Sequence, residues 1–286
     1  MVKTGCLSSA YFGAEDYEEG LKKLKSHGFD CIDYSGFFDP NGEVYQIDDK
    51  KLNARLTDLR RAAADTDVKI WQMHAAWPLD DATPQSRKAG DKVYLKSIKA
   101  ANVLGCEYLV IHPAMPYGWG KEPSVQEVYD INYERFYNLL PCAKDQGVTL
   151  CLENMPFGEE GHSFSKVKDV KTFIRNVNDR HLGACLDTGH AFVTGDNCYD
   201  AIKTLGEDLL TLHVHDDAVK QDRHLIPFQG SVDWEGFIKG LKEIGFDGCI
   251  SLETSISVKT PEPMREQMRI ALAGICRYFA ERIGRN

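Results

Sequence analysis

The stretch Gly183-Ala184-Cys185-Leu186-Asp187-Thr188-Gly189-His190 contains the pattern that decides the fold of this chain. A short apolar run of strand length ends on an acidic residue, and a glycine and a histidine follow it. Seven other runs of this length occur along the chain. The eight runs are Lys3–Ser8, Cys31–Ser35, Lys69–His74, Tyr108–His112, Thr149–Glu153, Gly183–Asp187, Leu209–His213 and Cys249–Glu253. Their spacing leaves room for a helix after each one, which predicts parallel βα units.

Longer stretches with Leu, Ile and Ala at i, i+3 and i+4 spacing lie between these runs and predict eight helices. They are Tyr17–Ser26, Lys51–Ala64, Asp91–Leu104, Ile131–Gln146, Val167–Asn178, Cys198–Leu205, Trp234–Ile244 and Pro263–Ile283. Four glycines stand just before strands, where the residue that ends a helix needs a positive φ: Gly28, Gly105, Gly147 and Gly245. Because eight βα units need about 250 residues and the chain has 286, we predict a single (β/α)8 TIM barrel.

A doubly wound open sheet is the alternative fold, but no GxGxxG motif follows the first strand to favour it. The predicted strand-to-helix loops, such as Ala75–Gly90 and Val214–Asp233, are longer than the helix-to-strand joints. In a barrel those longer loops build the active-site face. No linker or low-complexity segment interrupts the pattern, so residues 1–286 are predicted to form one domain.

The composition sets limits on location and partners. No apolar run approaches ~18 residues and the first residues lack a signal-peptide pattern, so we expect a cytoplasmic protein that does not enter the membrane. The chain has nine cysteines and no CxxC motif, which predicts reduced, buried thiols. With 43 acidic against 34 basic residues, the net charge is −9. That charge argues against nucleic acid as a partner and favours a small molecule.

Ionisable residues close four successive strands, and this shared position predicts a metal site. Glu153, Asp187, His213 and Glu253 end the fifth to the eighth predicted strands. Burying four such side chains near one another requires a compensating charge, which a divalent cation supplies. Three carboxylates and one imidazole suit Mn²⁺ or Zn²⁺, with Mg²⁺ and Co²⁺ as alternatives, and leave positions open for substrate. No organic cofactor is indicated.

A second set of candidate ligands lies near the same strand ends. His74 and His112 end the third and fourth strands, His190 follows Asp187 by three residues, and Asp222 and His224 follow the seventh strand. A further histidine there, His215, is as consistent with a hydrogen-bonded core residue as with a ligand. We predict that the other five are additional metal ligands or contact the substrate.

With these residues in place, the chain resembles the xylose isomerase-like TIM-barrel superfamily over nearly its whole length. That superfamily includes sugar isomerases, sugar epimerases and apurinic-site endonucleases of the endonuclease IV type. In the isomerases and epimerases, residues matching the four strand-end ligands hold one metal, and the two glutamates flank the substrate carbon. In the endonucleases, residues matching His74, His112 and Glu153 hold one zinc, and Glu153 bridges to a second. Residues matching His190, Asp222 and His224 hold a third.

Other features favour a sugar rather than DNA. The run from Asp222 to Trp234 resembles the DxHLxPGxGxIDW pattern of sugar isomerase-like members, although Phe228 replaces the usual glycine. The polar DNA-contacting loop of the nucleases is not recognisable after His74. The resemblance therefore implies a metal-dependent sugar or sugar-phosphate isomerase or epimerase. An endonuclease IV-like phosphodiesterase, and a non-catalytic or partner-dependent carbohydrate protein, are the alternatives; a homo-oligomer is left open.

The expected mechanism is proton transfer through an enediolate, with Glu153 and Glu253 as the catalytic carboxylates, although a hydride shift is the competing route. Five residues are predicted to contact the substrate: His190, Glu159, Trp77, Trp119 and Phe157. The sequence does not choose the sugar, its phosphorylation state or the number of metal ions.

Overall fold

Eight parallel strands close into a (β/α)8 barrel in the computed structural model, which describes residues 2–13, 16–116, 123–156, 164–219, 221–254 and 256–284. The strands are β1 (Lys3–Leu7), β2 (Cys31–Tyr34), β3 (Lys69–His74), β4 (Tyr108–Ile111), β5 (Thr149–Glu153), β6 (Leu182–Asp187), β7 (Leu209–His213) and β8 (Cys249–Leu252). Val214 closes the barrel between β7 and β8. Its N–H donates to the carbonyl of Ser251 at 2.9 Å and its carbonyl accepts from Glu253 N–H at 3.0 Å. All eight predicted strands are confirmed within about one residue.

Nine α-helices occur among the described residues, one more than predicted. They are α1 (Tyr17–His27), α2 (Asp49–Asp65), α3 (Pro84–Leu104), α4 (Val125–Gln146), α5 (Val167–Val177), α6 (Thr188–Thr194), α7 (Cys198–Leu205), α8 (Trp234–Glu243) and α9 (Glu262–Gly284). None of them is both long and apolar enough to cross a membrane. The four glycines that precede strands all have positive φ, as predicted.

Two helices begin several residues earlier than predicted, α3 at Pro84 rather than Asp91 and α4 at Val125 rather than Ile131, and one short helix was missed. The loop predicted over Ala75–Gly90 is helical from Pro84 onward, because Thr83 and Ser86 form a reciprocal capping box ahead of it. The short helix α6 was missed, since the sequence after Asp187 has no apolar period. The Asp187 carboxylate starts that helix by accepting the His190 N–H at 2.6 Å.

The cysteines behave as small apolar residues. All nine are free thiols and eight are buried, which confirms the expectation for the apolar runs. Cys151 and Cys185 pack with Val110, while Cys31 and Cys249 pack with Trp71. Burial raises the pKa of the Cys185 thiol to about 12, so this thiol stays protonated and unreactive near neutral pH.

A buried ion pair holds the loops after β3 and β4 in place. Arg135 on α4 donates to Asp81 at 2.5 Å and to Asp91 at 3.1 Å, and Arg135 and Asp81 are each 2% exposed. The second oxygen of Asp81 accepts the Met115 N–H at 3.0 Å. One carboxylate thus joins the loop that contains Trp77 to the loop that follows His112.

The long loop after β7 is organised around Asp216, a fully buried carboxylate. It accepts the backbone N–H of Gly230 at 2.9 Å and of Val232 at 3.0 Å, and the indole N–H of Trp234 at 3.0 Å. A Cβ at Gly230 would lie 2.3 Å from an Asp216 oxygen, so only glycine fits there. This anchoring explains the glycine and the tryptophan of the motif between Asp222 and Trp234.

Phe228 stands where the DxHLxPGxGxIDW pattern has glycine, and its φ is +74°. A left-handed conformation costs a non-glycine residue about 1–2 kcal/mol. The ring stacks on Phe279 at 5.4 Å between centroids and contacts Trp234 at 5.8 Å. The aromatic contacts stabilise the position of Phe228, and the backbone strain acts against them.

We expect Phe228→Ala to be less stable than Phe228→Gly by about 1 kcal/mol, because both lose the ring and only alanine keeps the strain. Urea unfolding of the two variants measures the difference. Tyr137→Ala and Tyr137→Gly are the matched controls, because Tyr137 is 81% exposed on helix α4. There we expect the alanine variant to be more stable than the glycine variant, the opposite of the order at Phe228. Equal stability of the two Phe228 variants would contradict the strain.

Candidate metal centre

The four strand-end residues predicted to bind metal lie together at the carboxyl-terminal mouth of the barrel. Glu153, Asp187 and His213 are the last residues of β5, β6 and β7, and Glu253 directly follows β8. One ligand atom from each lies within 4.8 Å of the others. Glu153, Asp187 and His213 are at most 1% exposed, whereas the Glu253 side chain is 13% exposed. The cluster is therefore enclosed by protein except on the side of Glu253.

The two oxygens of Glu153 face two different groups of side chains. Oε1 lies 3.1 Å from His213 Nδ1, toward Asp187 and Glu253. Oε2 lies 3.1 Å from His112 Nε2 and 3.6 Å from His74 Nε2. Glu153 would therefore offer one oxygen to each of two neighbouring sets of candidate metal ligands.

A third group lies beside the first. His190 Nε2 and His224 Nε2 each lie 3.3 Å from an oxygen of Asp222, one on either side of that carboxylate. His215 joins the same group, and its ring stacks on His224 at 4.1 Å between centroids. The structure thus brings together all nine residues that the sequence singled out as candidate ligands.

The hydrogen bonds of the histidine rings show which nitrogen each ring leaves for a metal. His74, His190 and His224 each place Nδ1 2.6 to 2.8 Å from a backbone carbonyl, which can only accept. Nδ1 must then bear the hydrogen, and the neutral ring leaves Nε2 as a bare acceptor. In every case Nε2 faces a carboxylate oxygen. Two acceptors that face each other require a proton or a cation between them.

The charges of the site favour a cation. Burial alone would lower the pKa of His190, but Asp187, Asp222 and Glu153 outweigh it and raise that pKa to about 10. Burial likewise lowers the pKa of His224, but the hydrogen bond to Asp222 and the neighbouring carboxylates together outweigh burial and raise that pKa to about 10. Burial, with Glu153 and Asp187 nearby, raises the pKa of Glu253. The carboxylates thus attract protons to this cluster, and a divalent cation can replace those protons.

His112 differs from the other histidines. Burial lowers its pKa to about 4 despite the neighbouring Glu153 carboxylate, so the ring is neutral near pH 7. A neutral imidazole is the form that binds a metal. Together with the buried His213 Nδ1, which has no hydrogen-bond partner among the described residues, this donor set fits a divalent transition metal.

His215 belongs to the third group and also forms a hydrogen bond with Asp187. Its Nε2 lies 3.0 Å from Asp187 Oδ2, and its Nδ1 lies 3.4 Å from Asp217 Oδ2. The ring packs so closely on helix α6 that a Cβ at Gly189 would lie 2.0 Å from it. The glycine of Thr188-Gly189-His190 therefore allows a histidine to orient the Asp187 carboxylate.

Aromatic residues line one side of the mouth. Trp77, predicted to contact substrate, lies 4.6 Å from the His112 ring between centroids. Phe38, which the sequence did not single out, is 40% exposed and lies 4.9 Å from the His74 ring. The Phe38 carbonyl accepts the Trp77 N–H at 2.8 Å. The other predicted contacts, Glu159, Trp119 and Phe157, lie outside the described residues.

Two buried polar residues behind the site were also missed. Asp33 on β2 accepts from His213 Nε2 at 3.0 Å and from Gln72 Nε2 at 2.8 Å. Asp33 and Gln72 both lie inside mainly apolar strands, where a polar side chain indicates a functional or structural role. Neither residue ends its strand, so a prediction based on strand ends does not include them.

Comparison with known proteins agrees with the family resemblance and with the barrel fold. The model of the family described as xylose isomerase-like TIM barrel matches residues 21–273. A probable endonuclease 4 of Metamycoplasma arthritidis is 28% identical over 96% of this chain and 100% of its own length. A ketose 3-epimerase of Arthrobacter globiformis is 25% identical over 92% of this chain and 88% of its own. A crystal structure of D-psicose 3-epimerase in the presence of D-fructose has the same fold, with a TM-score of 0.78, 17% identity and coverage of 97% and 99%.

Proposed function

The chain belongs to the xylose isomerase-like TIM barrel family, and from this premise we propose that it is a metal-dependent epimerase or isomerase of a small sugar. The metal is Mn²⁺ or Zn²⁺, held by Glu153, Asp187, His213 and Glu253. The placement of the two glutamates is the observation that supports this proposal most strongly. Both lie 3.1 Å from His213 Nδ1, and they enter the site from different strands.

A bound divalent ion supplies Lewis-acid polarisation of a substrate carbonyl, which acidifies the adjacent C–H. The protein residues then have to move the proton. Glu153 ends β5 and Glu253 follows β8, so the two carboxylates reach the site from different strands of the barrel wall. We infer that one removes the proton from carbon and the other returns a proton from the opposite side. Return to the same carbon inverts its configuration, and return to the neighbouring carbon isomerises the sugar.

The surroundings of the site support a small, uncharged, polyhydroxylated substrate. Trp77 and Phe38 offer ring surfaces at the mouth, on which the C–H face of a sugar can pack. His190 and the Asp222 carboxylate offer hydrogen bonds to hydroxyl groups. The net charge of −9 repels a polyanion. The ketose 3-epimerase relative is consistent with this substrate class.

Phosphodiester hydrolysis of the endonuclease IV type is the second candidate, and one specific observation favours it. Glu153 presents one oxygen to each of two ligand groups, and His190, Asp222 and His224 form a third group. If these residues held divalent ions, the ions would stabilise the negative charge of a phosphoryl group during hydrolysis. The probable endonuclease 4 relative is consistent with this reading.

Turnover assays separate the two candidates. Protein loaded separately with Mn²⁺ and with Zn²⁺ is incubated with a panel of ketoses and aldoses, and with a DNA duplex that contains one abasic site. We expect epimerisation or isomerisation of at least one sugar and no efficient incision of the duplex at physiological salt. Incision without sugar turnover would reverse the order of the candidates. Metal binding without either activity would indicate a non-catalytic protein.

A further inference from the structure

Asp33 lies behind the metal centre, on the side of His213 that faces away from Glu153 and Glu253. It is fully buried, and its Oδ2 accepts from His213 Nε2 at 3.0 Å. We propose that Asp33, oriented by Gln72, is a positioning residue that decides which nitrogen of His213 is presented to the metal. This inference rests on the metal centre of the proposed function and not on the sugar reaction.

Of the two nitrogens of the His213 ring, only Nε2 makes a hydrogen bond among the described residues, and its partner is Asp33. A carboxylate oxygen can only accept, so Nε2 must donate to Asp33 and Nδ1 is left bare in the neutral ring. Nδ1 lies 3.1 Å from Glu153 Oε1 and 3.1 Å from Glu253 Oε2. It has no hydrogen-bond partner among the described residues despite being fully buried. Without Asp33, the hydrogen could move to Nδ1 and point at the two glutamates, which would close the position to a metal.

Gln72 holds the Asp33 carboxylate in the position where it accepts from His213. Its Nε2 donates to Asp33 Oδ2 at 2.8 Å and to the carbonyl of Leu212 at 3.2 Å. The amide nitrogen is therefore committed to two acceptors, and the Asp33 oxygen receives two N–H donors. Leu212 immediately precedes His213 on β7, so Gln72 also fixes the backbone from which the ring projects. The three side chains come from β2, β3 and β7 and meet in the barrel interior.

The negative charge of Asp33 contributes as well as its hydrogen bond. A carboxylate on the far nitrogen of a metal-ligating imidazole raises its basicity and fixes its orientation, and loss of such a partner typically weakens metal binding by about 10–100-fold. Other histidines of the site donate to neutral backbone carbonyls instead. His213 is thus the ligand whose metal affinity we expect to depend most on one buried charge.

The test is a titration of metal-free protein with Co²⁺, followed by calorimetry and by Co²⁺ absorption. Asp33→Asn keeps the shape and one accepting oxygen but removes the charge, so we expect the dissociation constant of the core ion to rise about 10-fold. Asp33→Leu removes both features, and we expect about 100-fold. Nitrogen-15 NMR of the metal-free protein, at a pH high enough for the His213 ring to be neutral, should show the hydrogen on Nε2 in the wild type and on Nδ1 in Asp33→Leu.

Ser251→Ala is the matched control. Ser251 is buried on β8, two residues before Glu253, and its hydroxyl has no partner among the described residues. The Ser251→Ala variant should bind Co²⁺ with the affinity of the wild type. If it lost as much affinity as the Asp33 variants, any change in the barrel interior would weaken binding, and the inference would be overturned. Wild-type affinity in Asp33→Asn would also overturn it, even if Asp33→Leu does not fold. Absence of Co²⁺ binding by the wild type would instead contradict the proposed function itself.

Discussion

Glu153→Gln and Glu253→Gln are each expected to slow sugar turnover by about 10² to 10⁴-fold, the usual effect of losing a positioned acid or base. Glutamine keeps the size of the side chain and one coordinating oxygen. It removes the basic carboxylate that we assign to proton transfer. Steady-state kcat at saturating metal, together with metal content by elemental analysis, separates the chemical step from metal binding.

His74→Ala is the comparison that interprets these variants. The His74 ring faces Glu153 Oε2, whereas His213 Nδ1 faces Oε1 of the same carboxylate. If the enzyme works with one core ion, this change should have a far smaller effect on kcat than the glutamine variants. A loss as large as theirs would point to a multi-metal centre. Full activity of metal-loaded Glu153→Gln and Glu253→Gln would remove both carboxylates from the mechanism.

Arg135→Met is expected to lower the free energy of unfolding by about 3–5 kcal/mol, because it leaves the buried Asp81 carboxylate without its cation. Asp81 joins the loops next to Trp77 and His112, so the variant should also bind substrate more weakly at temperatures where it remains folded. Urea unfolding followed by circular dichroism measures the stability, and KM measures the effect on the site.

Arg282→Met provides the control for this prediction. Arg282 on α9 pairs with Glu235 at 2.5 Å, but the two side chains are 39% and 69% exposed. Exposed pairs contribute at most about 1 kcal/mol. Similar losses for the two arginine variants would mean that burial of the Arg135–Asp81 pair does not determine its contribution.

The sequence was sufficient for the barrel because eight short, mainly apolar runs alternate with stretches of helical period. Runs such as Thr149–Glu153 and Leu209–His213 also end on an ionisable residue, which marks the end of the strand. Parallel strands place those ends at one mouth. For the same reason the grouping of Glu153, Asp187, His213 and Glu253 was predictable without coordinates.

What the sequence could not supply depends on contacts between distant side chains. Asp33 and His213 are 180 positions apart and meet only because β2 and β7 face each other across the interior. The Phe38 carbonyl accepts a hydrogen bond from the Trp77 N–H at the mouth of the barrel, and no local sequence pattern predicts this contact. Helix α6 begins because Asp187 caps it, and that capping role was hidden by its assignment as a metal ligand.

Solvent deuterium incorporation tests the central claim most directly. Metal-loaded protein is incubated in D₂O with the sugar that it converts, and the product is analysed by NMR and mass spectrometry, with chelator-treated protein as the control. Proton transfer by Glu153 and Glu253 predicts product with deuterium at the reacting carbon, formed only when metal is present. Product free of deuterium at that carbon, or formed equally well after metal removal, would contradict a metal-dependent proton-transfer epimerase.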